Sequence, residues 1–178
     1  MNKQIIYAMT GEIKTGDNNS ILKSGAIGSC VVITAFNNYQ QIAVMAHIML
    51  PGKAPAKKNI QKTRYVANAI SELILLYKLD KTKEEKIDVC IAGGANVLQK
   101  TDDNVWQNVI DSVEKTLISR NINVVARSLS GTQRRSVSFN VETGKVYCSI
   151  GDGTEEFLWD FRGLAVSDLK EVENERRQ

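Results

Sequence analysis

Two apolar runs, residues 31–36 and 42–50, flank the short polar patch Asn37-Asn38-Tyr39-Gln40. Runs rich in Val, Ile, Phe and Met joined by an Asn-rich patch predict a β-hairpin. In the first run Val31, Ile33 and Ala35 point to one side and Val32 and Phe36 to the other, so both faces are apolar. Such a strand sits centrally in a sheet with layers packed above and below it. A turn centred between Asn38 and Tyr39 sets Cys30 opposite His47, and facing residues have Cβ atoms roughly 4.5–5.5 Å apart. His47 is the only histidine in the chain.

A lone thiol is mostly protonated at neutral pH, with a pKa of about 8.5. A neighbouring imidazole can take the proton and stabilise the thiolate. Gly25 and Gly28 precede the cysteine and permit positive φ and close backbone approach. Backbone N–H groups around Gly28, Ser29 and Cys30 are thereby placed to meet a developing oxyanion. The competing reading is a buried core cysteine beside a satisfied strand histidine. Register decides between them, because a slip of one residue sends the two side chains to opposite faces.

Around the hairpin, residues 5–9 predict a first strand and residues 10–20, rich in Gly, Asp and Asn, a loop that delivers the chain to Ser24 and a turn leading to Cys30. Residues 52–62 form a second loop carrying Lys53, Lys57, Lys58 and Lys62, a charge able to meet an acidic partner or simply to be solvated. Val66, Ala69, Ile70, Leu73, Ile74 and Tyr77 recur at helical spacing over about residues 61–79, before a charged turn at 80–86. A strand at 87–92 ends in Gly93-Gly94, read as tight packing or a turn beside the site. A second amphipathic helix covers about 104–120, followed by a strand at 122–129 and a polar loop at 130–134. Residues 135–141 and 145–150 make another hairpin around Glu142-Thr143-Gly144, and 157–161 an edge strand. Residues 1–161 are expected to form one domain and 162–178 a polar tail. The fold class is α/β: a single-domain layered sandwich with mixed and antiparallel strands and two long helices.

Composition excludes several roles. A net charge of +3 with 6% aromatic residues suits no nucleic-acid binder. No apolar run approaches the roughly 18 residues needed to cross a bilayer, and no signal peptide is visible. Cys30, Cys90 and Cys148 are too widely spaced for a disulfide framework or a zinc site, so a cytoplasmic protein with structural Cys90 and Cys148 is expected. No metal or organic cofactor is required.

Gly28-Ser29-Cys30-Val31 and His47-Ile48-Met49-Leu50-Pro51 resemble the signature of the chemoreceptor glutamine deamidases, the CheD family. Thr63-Arg64-Tyr65-Val66-Ala67-Asn68-Ala69, Ile91-Ala92-Gly93-Gly94-Ala95, and Arg135-Ser136-Val137 leading to Glu142-Thr143-Gly144-Lys145 extend the likeness over roughly residues 3–151. The resemblance implies a Cys-His-Thr triad in which Cys30 and His47 are matched and Ser24 stands at the threonine position, keeping the hydroxyl. Relatives commonly carry an Asp before a pair of glycines near residue 130; here Ser128 replaces the Asp and only Gly131 remains. What the resemblance implies is conversion of receptor Gln side chains to Glu through a thioester on Cys30. The partners it implies are cytoplasmic chemoreceptor helices and CheC-type phosphatases. A generic cysteine hydrolase and a docking module of low turnover are the alternatives.

Overall fold

The computed structural model describes residues 3–57, 59–77, 86–102 and 104–163. In chain order the elements are β1 (Gln4–Tyr7), β2 (Ile13–Gly16), β3 (Ser20–Ile27), β4 (Val31–Asn37), β5 (Ile42–Ile48), a 3-10 turn (Lys62–Arg64), α1 (Val66–Tyr77), β6 (Asp88–Gly93), α2 (Val105–Ser119), β7 (Asn123–Leu129), β8 (Arg135–Asn140), β9 (Lys145–Ile150) and β10 (Glu156–Asp160). The strands form two five-stranded sheets, ordered β1-β3-β8-β9-β10 and β2-β5-β4-β6-β7. Both are mixed: β1 runs parallel to β3, β6 parallel to β7, and the other pairs are antiparallel.

The alternation of β4 explains the layering. Val31, Ile33 and Ala35 pack with Val66, Ile70, Leu73, Val109, Val113 and Leu117 of the two helices. Val32 and Phe36 face the other way, into a core with Leu22, Ile27, Val137, Phe139 and Val146 of the opposite sheet. The molecule is therefore sheet on sheet on helices, with β4 buried along its whole length in the middle layer. Each fully buried aliphatic or aromatic side chain contributes roughly 1.5–3 kcal/mol by leaving water. At one end Arg135 is itself buried, its Nε donating to Ser128 Oγ at 2.9 Å and an Nη to the Leu129 carbonyl at 3.0 Å. That guanidinium ties β8 of the first sheet to β7 of the second.

Three expectations need correction. Residues 10–20 are not all loop, because Ile13–Gly16 pairs with β5 as an edge strand. Ser24 lies not in a turn but inside β3, which pairs with both β1 and β8. The β4–β5 register is also shifted: Val32 stands opposite His47, and Asn37 opposite Ile42. The loop has four residues because the Asn37 carboxamide accepts from the N–H groups of Tyr39 and Gln40, while Gln41 takes a φ of 54°. The helices are slightly shorter than the periodicity suggests, α1 starting after the 3-10 turn. Lys58, the charged turn at 80–85 and the tail at 164–178 lie outside the described residues.

Candidate active site

The chain crosses from the first sheet to the second twice at the same end. One crossing is residues 8–12, between β1 and β2; the other is residues 28–30, between β3 and β4. Cys30 lies on the second crossing, half-buried and packed against the core between the sheets. With Val32 opposite His47, Cys30 becomes a diagonal neighbour of the imidazole on the same face of the sheet. Diagonal pairs are separated by about 7–8 Å, within reach of a long or aromatic side chain. The shift is by two positions, so the face is preserved.

Ser24 comes from the opposite sheet. Its hydroxyl is buried and lies 2.9 Å from His47 Nδ1 and 2.8 Å from the Ala8 carbonyl oxygen. That carbonyl also lies 3.3 Å from Nδ1. A carbonyl only accepts, so the hydroxyl donates to Ala8 and its lone pair is left to accept from the ring. Nδ1 therefore carries the hydrogen and Nε2 the lone pair. Among the described residues Nε2 is buried with no hydrogen-bond partner. A buried, unpaired imidazole lone pair is a base held ready.

Burial sets the resting charges. It pushes the His47 pKa below the ordinary imidazole value, with the Ala8 carbonyl opposing more weakly. Burial also raises the Cys30 thiol above its usual value. The resting pair is a neutral thiol beside a neutral ring. Cys90 is more deeply buried and pushed up to about 12, and burial also raises Cys148.

The backbone around Cys30 is held from below. Gly94 N–H donates to the Cys30 carbonyl at 2.7 Å and Ala95 N–H to the Gly28 carbonyl at 2.8 Å. Gly93, at a φ of 124°, leaves no room for a side chain: a Cβ there would lie 2.2 Å from the Cys30 carbonyl oxygen. The Gly-Gly pair thus packs directly under the crossing. Positive φ in the approach belongs to Ala26 (52°) rather than to Gly25 or Gly28. Ala26 lies in a bulge, since three steps from Ser24 to Ile27 are matched by two from Val137 to Arg135. At Gly28 a Cβ would meet only Val97 Cγ2 at 3.4 Å, an ordinary contact, so neither φ nor space demands glycine there.

Met9, Met49, Val97 and Leu98 are exposed apolar side chains on the segments bordering this end. Lys53, Lys57 and Lys62 are exposed on the loop after β5. The Ala8 carbonyl had no signal in the sequence, being a backbone group whose position depends on a crossing between sheets.

The family model described as CheD chemotactic sensory transduction matches residues 49–150, beginning just after His47. The probable chemoreceptor glutamine deamidase CheD of Chlorobium luteolum is 29% identical over 156 residues, covering 88% of this chain and 78% of the relative. The chemoreceptor glutamine deamidase CheD of Thermotoga maritima is 29% identical over 146 residues, covering 82% and 92% respectively. The probable chemoreceptor glutamine deamidase CheD 2 of Methanosarcina acetivorans is 31% identical over 158 residues, covering 86% and 68%.

Proposed function

Because the chain belongs to the CheD family, we propose that it is a chemoreceptor glutamine deamidase in which Cys30 is the nucleophile, His47 the acid and base, and Ser24 the residue that orients the ring. The observation that carries this reading is the Ser24–His47 bond of 2.9 Å beside a buried, unpartnered Nε2. In the reaction Nε2 takes the Cys30 thiol proton as sulfur attacks the side-chain carboxamide carbon of a glutamine. The tetrahedral oxyanion is met by the Cys30 N–H and a neighbouring amide at Gly28 or Ser29. The C–N bond breaks as His47 returns the proton to the leaving amide nitrogen, releasing ammonia. Water, deprotonated by Nε2, then attacks the thioester and frees glutamate and the thiol. Ser24 acts as a triad's third member, fixing the tautomer through its hydroxyl.

The substrate of this reading is a cytoplasmic receptor helix. The exposed Met9, Val97 and Leu98 supply apolar contacts for it, and the lysine loop a positive field. A CheC-type phosphatase is a second partner carried over from the family. A free thiol nucleophile fits a reducing compartment, the cytoplasm. No helix among the described residues is long and apolar enough to cross a membrane.

The test is mass spectrometry of a receptor cytoplasmic fragment after incubation with the protein. Gln-to-Glu conversion is expected with the wild type and not with Cys30→Ala. Conversion that survives Cys30→Ala overturns the assignment.

A further inference from the structure

The Ala8 carbonyl does its work only if it stays where it is: the Ala8 N–H, donating to the Lys23 carbonyl at 2.8 Å, ties one side of that peptide to β3, but residues 9–12 beyond it contain no regular element. What holds the segment is visible at Gly11. Its N–H donates to the His47 carbonyl at 2.7 Å, and the Glu12 carbonyl accepts from the His47 N–H at 3.0 Å. Its carbonyl accepts twice, from Thr63 Oγ1 at 2.6 Å and Gln61 Nε2 at 2.8 Å. Arg64 Nε donates to Gln61 Oε1 at 3.0 Å, which fixes the amide so that its NH₂ faces Gly11. Gly11 itself has a φ of 81°, and a Cβ on it would meet Arg64 Cγ at 2.6 Å. The turn at Lys62–Arg64 is therefore seated directly on the crossing that carries the Ala8 carbonyl.

We propose that Thr63, assisted by Gln61, is a positioning residue for the catalytic pair: through the Gly11 carbonyl it holds the Ala8 carbonyl against Ser24 and so keeps the hydrogen on His47 Nδ1. The proposal rests on the triad reading above. Its physical content is a choice of donor. With the Ala8 carbonyl in place, the Ser24 hydroxyl donates to it and accepts from the ring. Without that acceptor the hydroxyl is free to donate to Nδ1, which moves the ring hydrogen to Nε2 and removes the base. Thr63 never touches the substrate in this scheme.

The test compares Thr63→Val, which keeps the shape and loses the hydroxyl, with Thr63→Ser, which restores it. Two readouts need no receptor: nitrogen NMR of the imidazole, unambiguous in a chain with one histidine, and the pH profile of Cys30 alkylation. In Thr63→Val the ring signals are expected to move toward the Nε2–H form. Alkylation near neutral pH should slow about tenfold, part of the roughly 10²-fold or more that a positioned base supplies. Thr63→Ser should recover both. Gln61→Met, which removes one of the two donors, should give a smaller shift and covers the case in which Thr63→Val does not fold. Wild-type ring signals and alkylation rates in folded Thr63→Val, or in folded Gln61→Met if the former is lost, overturn the proposal. So does a Thr63→Ser protein no better than Thr63→Val. Absence of receptor deamidation by the wild type counts against the proposed function instead, and these two readouts remain decisive for the positioning role.

Discussion

At the scale of single residues, the site turns on one hydroxyl that donates to the Ala8 carbonyl and accepts from the His47 ring. Ser24→Ala leaves Nδ1 with only the longer contact to Ala8, so the tautomer is less firmly held. Turnover is expected to fall about 10²-fold or more, the lower end of what general acid–base catalysis contributes, while Ser24→Thr keeps it or raises it modestly because the β-methyl restricts χ1. Measuring melting temperature and turnover on one preparation separates this from a purely structural serine, for which only the melting temperature would move. The pH dependence follows from burial. The reaction needs the neutral ring, and burial disfavours the cation, so His47 stays competent to lower pH than an exposed imidazole. The acid limb of kcat/KM is expected below 6.5, the ordinary value of the ring; a limb above it would mean that a neighbouring negative charge, not burial, governs His47.

At the scale of elements, the sequence made some parts plain and hid others for physical reasons. The β4–β5 hairpin, both helices and the β8–β9 hairpin announce themselves through long apolar periodicity. β2 has only Ile13 to show among Lys, Thr and Gly, and an edge strand needs little more. β3 was masked by Gly25, whose neighbourhood reads as a turn but is a bulge inside a strand. The register missed by two positions because Asn37 builds a wider loop than its neighbours suggest. Since the side-chain period of a strand is two, Cys30 and His47 still share a face. Ser24 is reached through family likeness alone, because its hydroxyl meets His47 across two different sheets, a contact that no local pattern records. One element-level expectation is sharp. Gly93→Ala puts a methyl group into the Cys30 carbonyl and Ile27 at a backbone angle that side chains avoid. Such strain costs roughly 1–3 kcal/mol before the clash is counted. The melting temperature and the rate of Cys30 alkylation should both fall; an unaffected alkylation rate would show that the crossing does not depend on this packing.

At the scale of the whole molecule, Lys53, Lys57 and Lys62 are exposed on the loop after β5, and Met9, Val97 and Leu98 on segments bordering the Cys30 end. If the lysine charge guides an acidic helix, replacing Lys53, Lys57, Lys58 and Lys62 with Ala should slow association and flatten its salt dependence, measured by stopped flow across ionic strengths. Identical rates at every salt concentration would reduce the loop to solvated surface. The division of the site between the two sheets has a consequence for biosynthesis. His47 belongs to a sheet whose central strands are made early, but the sheet that carries Ser24 closes only when β8, β9 and β10 have been made. At ordinary rates of translation those strands follow His47 by on the order of ten seconds. During that interval His47 has no Ser24 hydroxyl held at its Nδ1. The arrangement of Ser24 against His47 is thus completed only late in the making of each molecule.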